Sequence, residues 1–84
     1  MWQLPLPKRY RKLIDSDVAD MKNVASGPPG ALVAGLFLEE FVDGVPWAHL
    51  DIAGPSWSES DDGYTPKGGT GVGVRTLLEL LDSF

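Results

Sequence analysis

His49 and Asp51 stand two apart in the stretch Trp47-Ala48-His49-Leu50-Asp51-Ile52-Ala53-Gly54. An imidazole and a carboxylate on one strand face could jointly ligate a metal or form an acid/base pair. One His with one carboxylate is too few ligands for a tight site, and strand geometry splays i from i+2. A buried, hydrogen-bonded pair that organises nearby backbone is the ordinary role for such residues. Asp15, Asp17 and Asp20 suggest a carboxylate-metal loop, but the EF-hand pattern needs a glycine at its sixth position and a Glu at its twelfth, and neither falls there. Helix capping and local hydrogen bonds are the expected uses of these carboxylates. Gly68-Gly69-Thr70-Gly71-Val72-Gly73 resembles a phosphate loop, because successive glycines let backbone N–H groups approach an anion. A dinucleotide fingerprint starting at Gly69 would need Gly or Ala at position 74, which is Val, and no Lys-Ser/Thr follows. A flexible turn that permits close helix packing is the better reading. Ser56 and Ser58 lack the Gly-x-Ser-x-Gly elbow of a serine nucleophile.

The elements that must position these groups follow from periodicity. Leu4-Pro5-Leu6-Pro7 is extended, since each proline fixes its own φ and pushes its predecessor away from helix. Lys8 to Ile14 is predicted to be a short helix with Tyr10, Leu13 and Ile14 on one apolar face and a solvated basic face opposite. Val18 to Asn23 reads as a short strand. Ala25 to Gly30 is a turn that starts a helix running from Gly30 or Ala31 to about Val42. That helix is apolar around most of its circumference, with Asp43-Gly44 ending it. Ala31, Ala34 and Gly35 leave it a small-residue face for close packing. The Trp47–Gly54 stretch reads as a buried strand, polar groups toward its end, so residues 18–52 form a strand–helix–strand unit with a right-handed parallel crossover. Two parallel strands do not make a stable sheet alone, so the unit requires strands from outside it. Residues 55–69 form a long polar loop pinned by Trp57 and Tyr64. A final amphipathic helix opens at Thr70 or Gly71, with Val74, Leu77, Leu78 and Leu81 on one face.

At 84 residues the chain makes at most one domain, residues 1–84, and a large catalytic cleft would be hard to accommodate. A hydrophobic fraction of 43% places it with globular proteins. The net charge of -5 argues against a nucleic-acid partner, which needs Lys and Arg to neutralise phosphates. The absence of Cys excludes disulfides, thiolate metal sites and a cysteine nucleophile, and is compatible with a reducing cytoplasm. No apolar run approaches the roughly 20 residues of a membrane span, and no signal peptide is indicated.

Asp17-Val18-Ala19-Asp20-Met21-Lys22-Asn23-Val24, Gly30-Ala31 with the apolar helix to Phe41, the Trp47–Gly54 block, and Gly69-Thr70-Gly71 with Arg75-Thr76-Leu77-Leu78 resemble, in order and spacing, the C-terminal part of the leucyl (cytosol) aminopeptidases. The leading Trp2-Gln3-Leu4-Pro5-Leu6 also fits. The resemblance implies an α/β fold: part of a three-layer sandwich, incomplete on its own, with a parallel strand–helix–strand unit and flanking helices. It implies removal of N-terminal residues from peptide substrates by two divalent cations, Zn or Mn, in a cytoplasmic homohexamer. It also implies that the metal carboxylates, the lysines and the catalytic arginine lie in the remainder of the aminopeptidase chain, the arginine in an Asn-Thr-Asp-Ala-Glu-Gly-Arg motif that these residues do not contain. What the resemblance assigns to this segment is one wall of the substrate side-chain pocket, at Val24, Ala53 and Ser56, with no metal ligand and no catalytic group. Many relatives have Thr-Ala-Trp after Ala-Gly, where this chain has Pro55-Ser56-Trp57. The expectation is a segment inactive alone; the alternative is a small non-enzymatic binding or assembly module.

Overall fold

The computed structural model describes residues 1–27 and 29–84. These divide into two compact units, Met1–His49 and Leu50–Phe84. No helix among the described residues is long and apolar enough to cross a membrane.

In the first unit, the predicted helix at Lys8–Ile14 forms as a 3₁₀ helix. Pro7 before it is extended and offers no side-chain cap, and the first turn closes with Tyr10 N–H donating to the Pro7 carbonyl at 3.0 Å. The tighter 3₁₀ form is frequent in short connecting pieces, and at 7 residues this one is long for its kind. Ile14 is fully buried, and Tyr10 and Leu13 are half-buried beside it. Helix α1, Gly30–Glu39, packs against this 3₁₀ helix and buries Val33, Gly35 and Leu36. The expected small-residue face narrows to Gly35, where a Cβ would lie 2.9 Å from Leu6 Cδ2 and 3.8 Å from the His49 ring. The neighbour at that close approach is therefore the Leu-Pro strip and His49, not a sheet. Lys8 pairs with Glu39 at 2.5 Å, and Arg11 Nε donates to Glu40 at 2.5 Å. Two of the four basic residues expected to be solvated thus bridge to Glu39, the last residue of α1, and to Glu40, which follows it. Arg11 also donates to Asp15, four residues on, at 2.9 Å. The bond to Glu40 is the main cause that raises the Arg11 pKa; desolvation opposes it, and the charges of Glu40 and Asp15 add to the rise.

Several sequence expectations are corrected here. Val18 to Asn23 is not a strand: the Ser16 hydroxyl accepts the N–H groups of Val18 and Ala19 at 3.3 and 3.1 Å, and Val18 is 97% exposed. A local serine acceptor has captured donors that a ladder would need. The segment returns to the helix through one bond, from Lys22 N–H to the Ile14 carbonyl at 2.7 Å. Helix α1 is less covered than its composition implies, with Leu38 exposed, as is Phe41 just beyond its end. It stops at Glu39, and Glu40, Phe41 and Val42 donate to carbonyls three residues back before Asp43 and Gly44 turn the chain at φ 49° and 74°. The Pro28 position of the expected turn lies outside the described residues. The stretch 47–52 forms no strand, and Leu50 and Ile52 are exposed. Among the described residues no backbone hydrogen bond reaches positions 46–51. The parallel strand–helix–strand unit is therefore absent as a ladder, because a strand needs a neighbour to bond to.

The second unit contains the only ladder among the described residues, β1 (Trp57–Ser58) antiparallel to β2 (Gly68–Gly69), with Trp57 opposite Gly69 and Ser58 opposite Gly68. The polar loop is thus a hairpin. Asp62 and Thr65 exchange two backbone bonds of 2.9 Å each across Gly63-Tyr64. Gly63 has φ 57°, the left-handed value that a two-residue hairpin turn requires at its first position. Trp57 and Tyr64 do not pin this loop: both are exposed, Tyr64 by 87%. Its order comes from the backbone, from the Asp61 carboxylate accepting Lys67 N–H at 2.8 Å and from the Ser58 hydroxyl on the Ser60 carbonyl at 2.6 Å. Helix α2, Val74–Asp82, follows Gly73, which sits at φ 92°. It begins later than predicted because the backbone at Gly71 and Gly73 is left-handed.

Candidate functional site

The second unit builds its most constrained backbone at Ala53–Ser56. Asp51 initiates it, its carboxylate accepting Ala53 N–H at 3.0 Å, as short acidic side chains do in turns. Ser56 then closes it: its N–H donates to the Ile52 carbonyl at 2.9 Å and its hydroxyl to the Ala53 carbonyl at 3.1 Å. Ala53 is exposed at the surface of this turn and Ser56 is half-buried. The glycine-rich segment supplies the outer anchor through Thr70. Its N–H donates to the Ser56 carbonyl at 2.9 Å, and its hydroxyl to the Pro55 carbonyl at 2.5 Å. The structure therefore brings together Ala53 and Ser56, two of the three residues assigned to a pocket wall. Val24 lies in the first unit, 79% exposed, on the segment before α1.

Asp51 is exposed, so the expectation of a buried His49 and Asp51 pair is corrected. A carboxylate used to hold its own turn has no need of a buried partner. The His49 ring is half-buried over Gly35, edge-on to Trp47 with ring centres 6.4 Å apart. Asp15 both caps the 3₁₀ helix and pairs with Arg11. Among the described residues no three His, Cys, Asp or Glu side chains converge on a point that could hold a metal ion. The donors among the described residues do not fit a pair of divalent cations. A shallow depression of about 430 Å³ in the first unit is lined by Lys8, Glu39 and Glu40 with the Val42–Val45 turn and Trp47, but its Lys8 and Glu39 are already paired to each other.

Sequence reasoning treats Thr70 as a helix opener and misses its link to Pro55 and Ser56. Its signal is a lone hydroxyl in a run of glycines, where main chain can approach closely. The hairpin is also missed, although Asp62-Gly63 is a turn signal in its own right.

Residues 1–78 match the family model of the cytosol aminopeptidase family, catalytic domain. A probable cytosol aminopeptidase of Synechococcus sp. (strain JA-3-3Ab) is 57% identical over 96% of this chain, which spans 16% of that relative. One of Alkaliphilus metalliredigens (strain QYMF) is 53% identical over 99% of this chain, which spans 17% of it. The crystal structure of a cytosol aminopeptidase from Coxiella burnetii superposes with a TM-score of 0.80 at 39% identity, covering 98% of this chain and 18% of that one. The chain thus spans about a sixth of the length of the curated relatives it matches. With the family model covering nearly all of its residues, the chain belongs to the cytosol aminopeptidase family.

Proposed function

We propose that this chain is the pocket-wall segment of a metal-dependent leucyl aminopeptidase that hydrolyses N-terminal residues from peptides. Ala53 and Ser56, with Val24, line one side of the space that receives the substrate's first side chain. The exposed methyl of Ala53 leaves room for an apolar residue there. Donors for two divalent cations, zinc or manganese, belong to the remainder of the aminopeptidase chain, and those ions supply water activation and carbonyl polarisation. The complete enzyme is read as a cytoplasmic homohexamer on family likeness, and the α/β sandwich is read as completed by strands that pair with residues 47–52.

The observation that carries this reading is the match of residues 1–78 to the family's catalytic domain in a chain spanning 16% of its relative. Helix α2 supports it, since Val74, Leu77, Leu78 and Leu81 form one apolar face and all are exposed, Leu81 by 65%. A face of that kind normally covers a core. The alternative of a self-sufficient binding module needs a core of its own. The buried apolar side chains among the described residues are Ile14, Val33 and Leu36, all in the first unit.

The test is hydrolysis of leucine p-nitroanilide by the rigorously purified 84-residue chain with added Mn²⁺ or Zn²⁺, alone and co-expressed with the remaining part of the Synechococcus relative. Activity only in the co-expressed sample is expected. Activity of the chain alone would refute the assignment of all metal donors elsewhere, and a well-folded, monomeric, inactive chain that ignores the co-expressed part would favour the binding module.

A further inference from the structure

The Ala53–Ser56 turn satisfies its inner groups by itself, through Ser56 N–H on Ile52 and Ser56 Oγ on the Ala53 carbonyl. Its two outward carbonyls, Pro55 and Ser56, are both taken by one residue, Thr70. The threonine hydroxyl is itself oriented, because Val72 N–H donates to its oxygen at 3.3 Å and leaves the hydroxyl proton for Pro55. Left-handed backbone at Gly68 and Gly71, with φ 114° and 67°, lets this stretch pass Thr70 across the turn while β2 pairs with β1. Two bonds from one residue thus set where the turn sits, and a third, from Val72, orients the hydroxyl.

We propose that Thr70 is a positioning residue for substrate selection: it holds the Ala53–Ser56 turn at the depth that admits a branched apolar side chain. This inference rests on the reading of Ala53 and Ser56 as pocket wall. The substrate class it concerns is peptides whose first residue is large and apolar, because only a side chain that reaches the wall senses the wall's position. Removing the hydroxyl leaves the Pro55 carbonyl without its partner and frees the turn to shift, and displacements near 1 Å are enough to disturb substrate placement. A residue such as alanine, too short to touch the wall, is held by the rest of the site and is unaffected.

The experiment replaces the matching segment of the full-length Synechococcus aminopeptidase with these residues and compares Thr70→Val, Thr70→Ser and Ala53→Val on leucine and alanine p-nitroanilides. Thr70→Val is expected to raise KM for the leucine substrate several-fold, up to roughly tenfold, as loss of the one hydroxyl bond that ties Thr70 to Pro55 implies. Its kcat, and both parameters for the alanine substrate, stay within about twofold. Thr70→Ser, which keeps the hydroxyl, restores the leucine KM. Ala53→Val raises KM for leucine over alanine whatever Thr70 does, and a flat result there would overturn the pocket-wall reading itself. A shift at Ala53→Val with no selective change at Thr70→Val would overturn the Thr70 proposal alone. Equal losses on both substrates, or failure of both Thr70 variants to fold, would show a general structural role and equally overturn it.

Discussion

Ile14, Val33 and Leu36 are buried in Met1–His49, where a 3₁₀ helix and α1 share them, whereas Leu50–Phe84 buries no apolar side chain to that degree. The first unit adds ion pairs from Lys8 and Arg11 to Glu39 and Glu40, at the C-terminal end of α1. The second is organised by hydrogen bonds of its own backbone and hydroxyls, through the β1–β2 hairpin, the Ser56 turn and Thr70. Side-chain burial supplies stability without direction, while hydrogen bonds supply direction with modest net stability. The contrast is what the proposed function requires: a second half that places a short turn and takes its core from the remainder of the aminopeptidase chain.

The sharpest way to break the comparison is to attack the uncovered face of α2. In the full-length chimera, Leu77→Asp with Leu81→Asp is expected to abolish soluble, active enzyme, because buried unpaired carboxylates cost several kcal/mol. In the 84-residue chain, where both positions are exposed, the same pair leaves solubility unchanged or improves it. Gel filtration of both proteins reads the difference. Equal tolerance in both would show that α2 stays uncovered and would remove the argument that the second unit borrows its core.

Next in size is Leu36→Ala, which leaves a cavity in the contact between α1 and the 3₁₀ helix and should cost about 2–5 kcal/mol, seen as a lower denaturation midpoint of the chimera. Gly63→Val comes third. At φ 57° a β-branched residue is strained by roughly 1–2 kcal/mol, and amide exchange should rise across the hairpin without affecting α1. Smallest is Lys8→Ala, expected to cost less than about 1 kcal/mol and to fade further in high salt, since the Lys8 side chain is 73% exposed. A Lys8 effect as large as that of Leu36 would mean that ion pairs, not burial, hold the first unit.

The 3₁₀ helix and α2 were legible because their apolar spacing is a property of each segment: Leu13 with Ile14, and Val74 through Leu81, announce a face before any partner is known. Strands are different. Trp47 to Ala53 alternates as a strand does, yet its ladder bonds need a neighbouring segment, and none among the described residues provides one. Val18 to Asn23 reads as a strand because hydrophobicity says nothing of the Ser16 hydroxyl that claims its amides. For the site, the Trp47–Gly54 block carries the family signal, and through it Ala53 and Ser56. Thr70 carries a signal, a lone hydroxyl among glycines, but not its partner, since the bond to Pro55 spans fifteen residues that only a folded hairpin brings together.

On the proposed function, this chain carries pocket wall and scaffold for an aminopeptidase and none of its metal chemistry. The measurement that bears on this most directly is leucine p-nitroanilide turnover by the chimera in which these residues replace the matching part of the Synechococcus enzyme, which is 57% identical here, beside turnover by the chain alone. The chimera is expected to keep kcat within about tenfold of the parent, and the chain alone to show no metal-dependent turnover. A folded, metal-loaded chimera without activity, or an isolated chain with it, would overturn the proposed function.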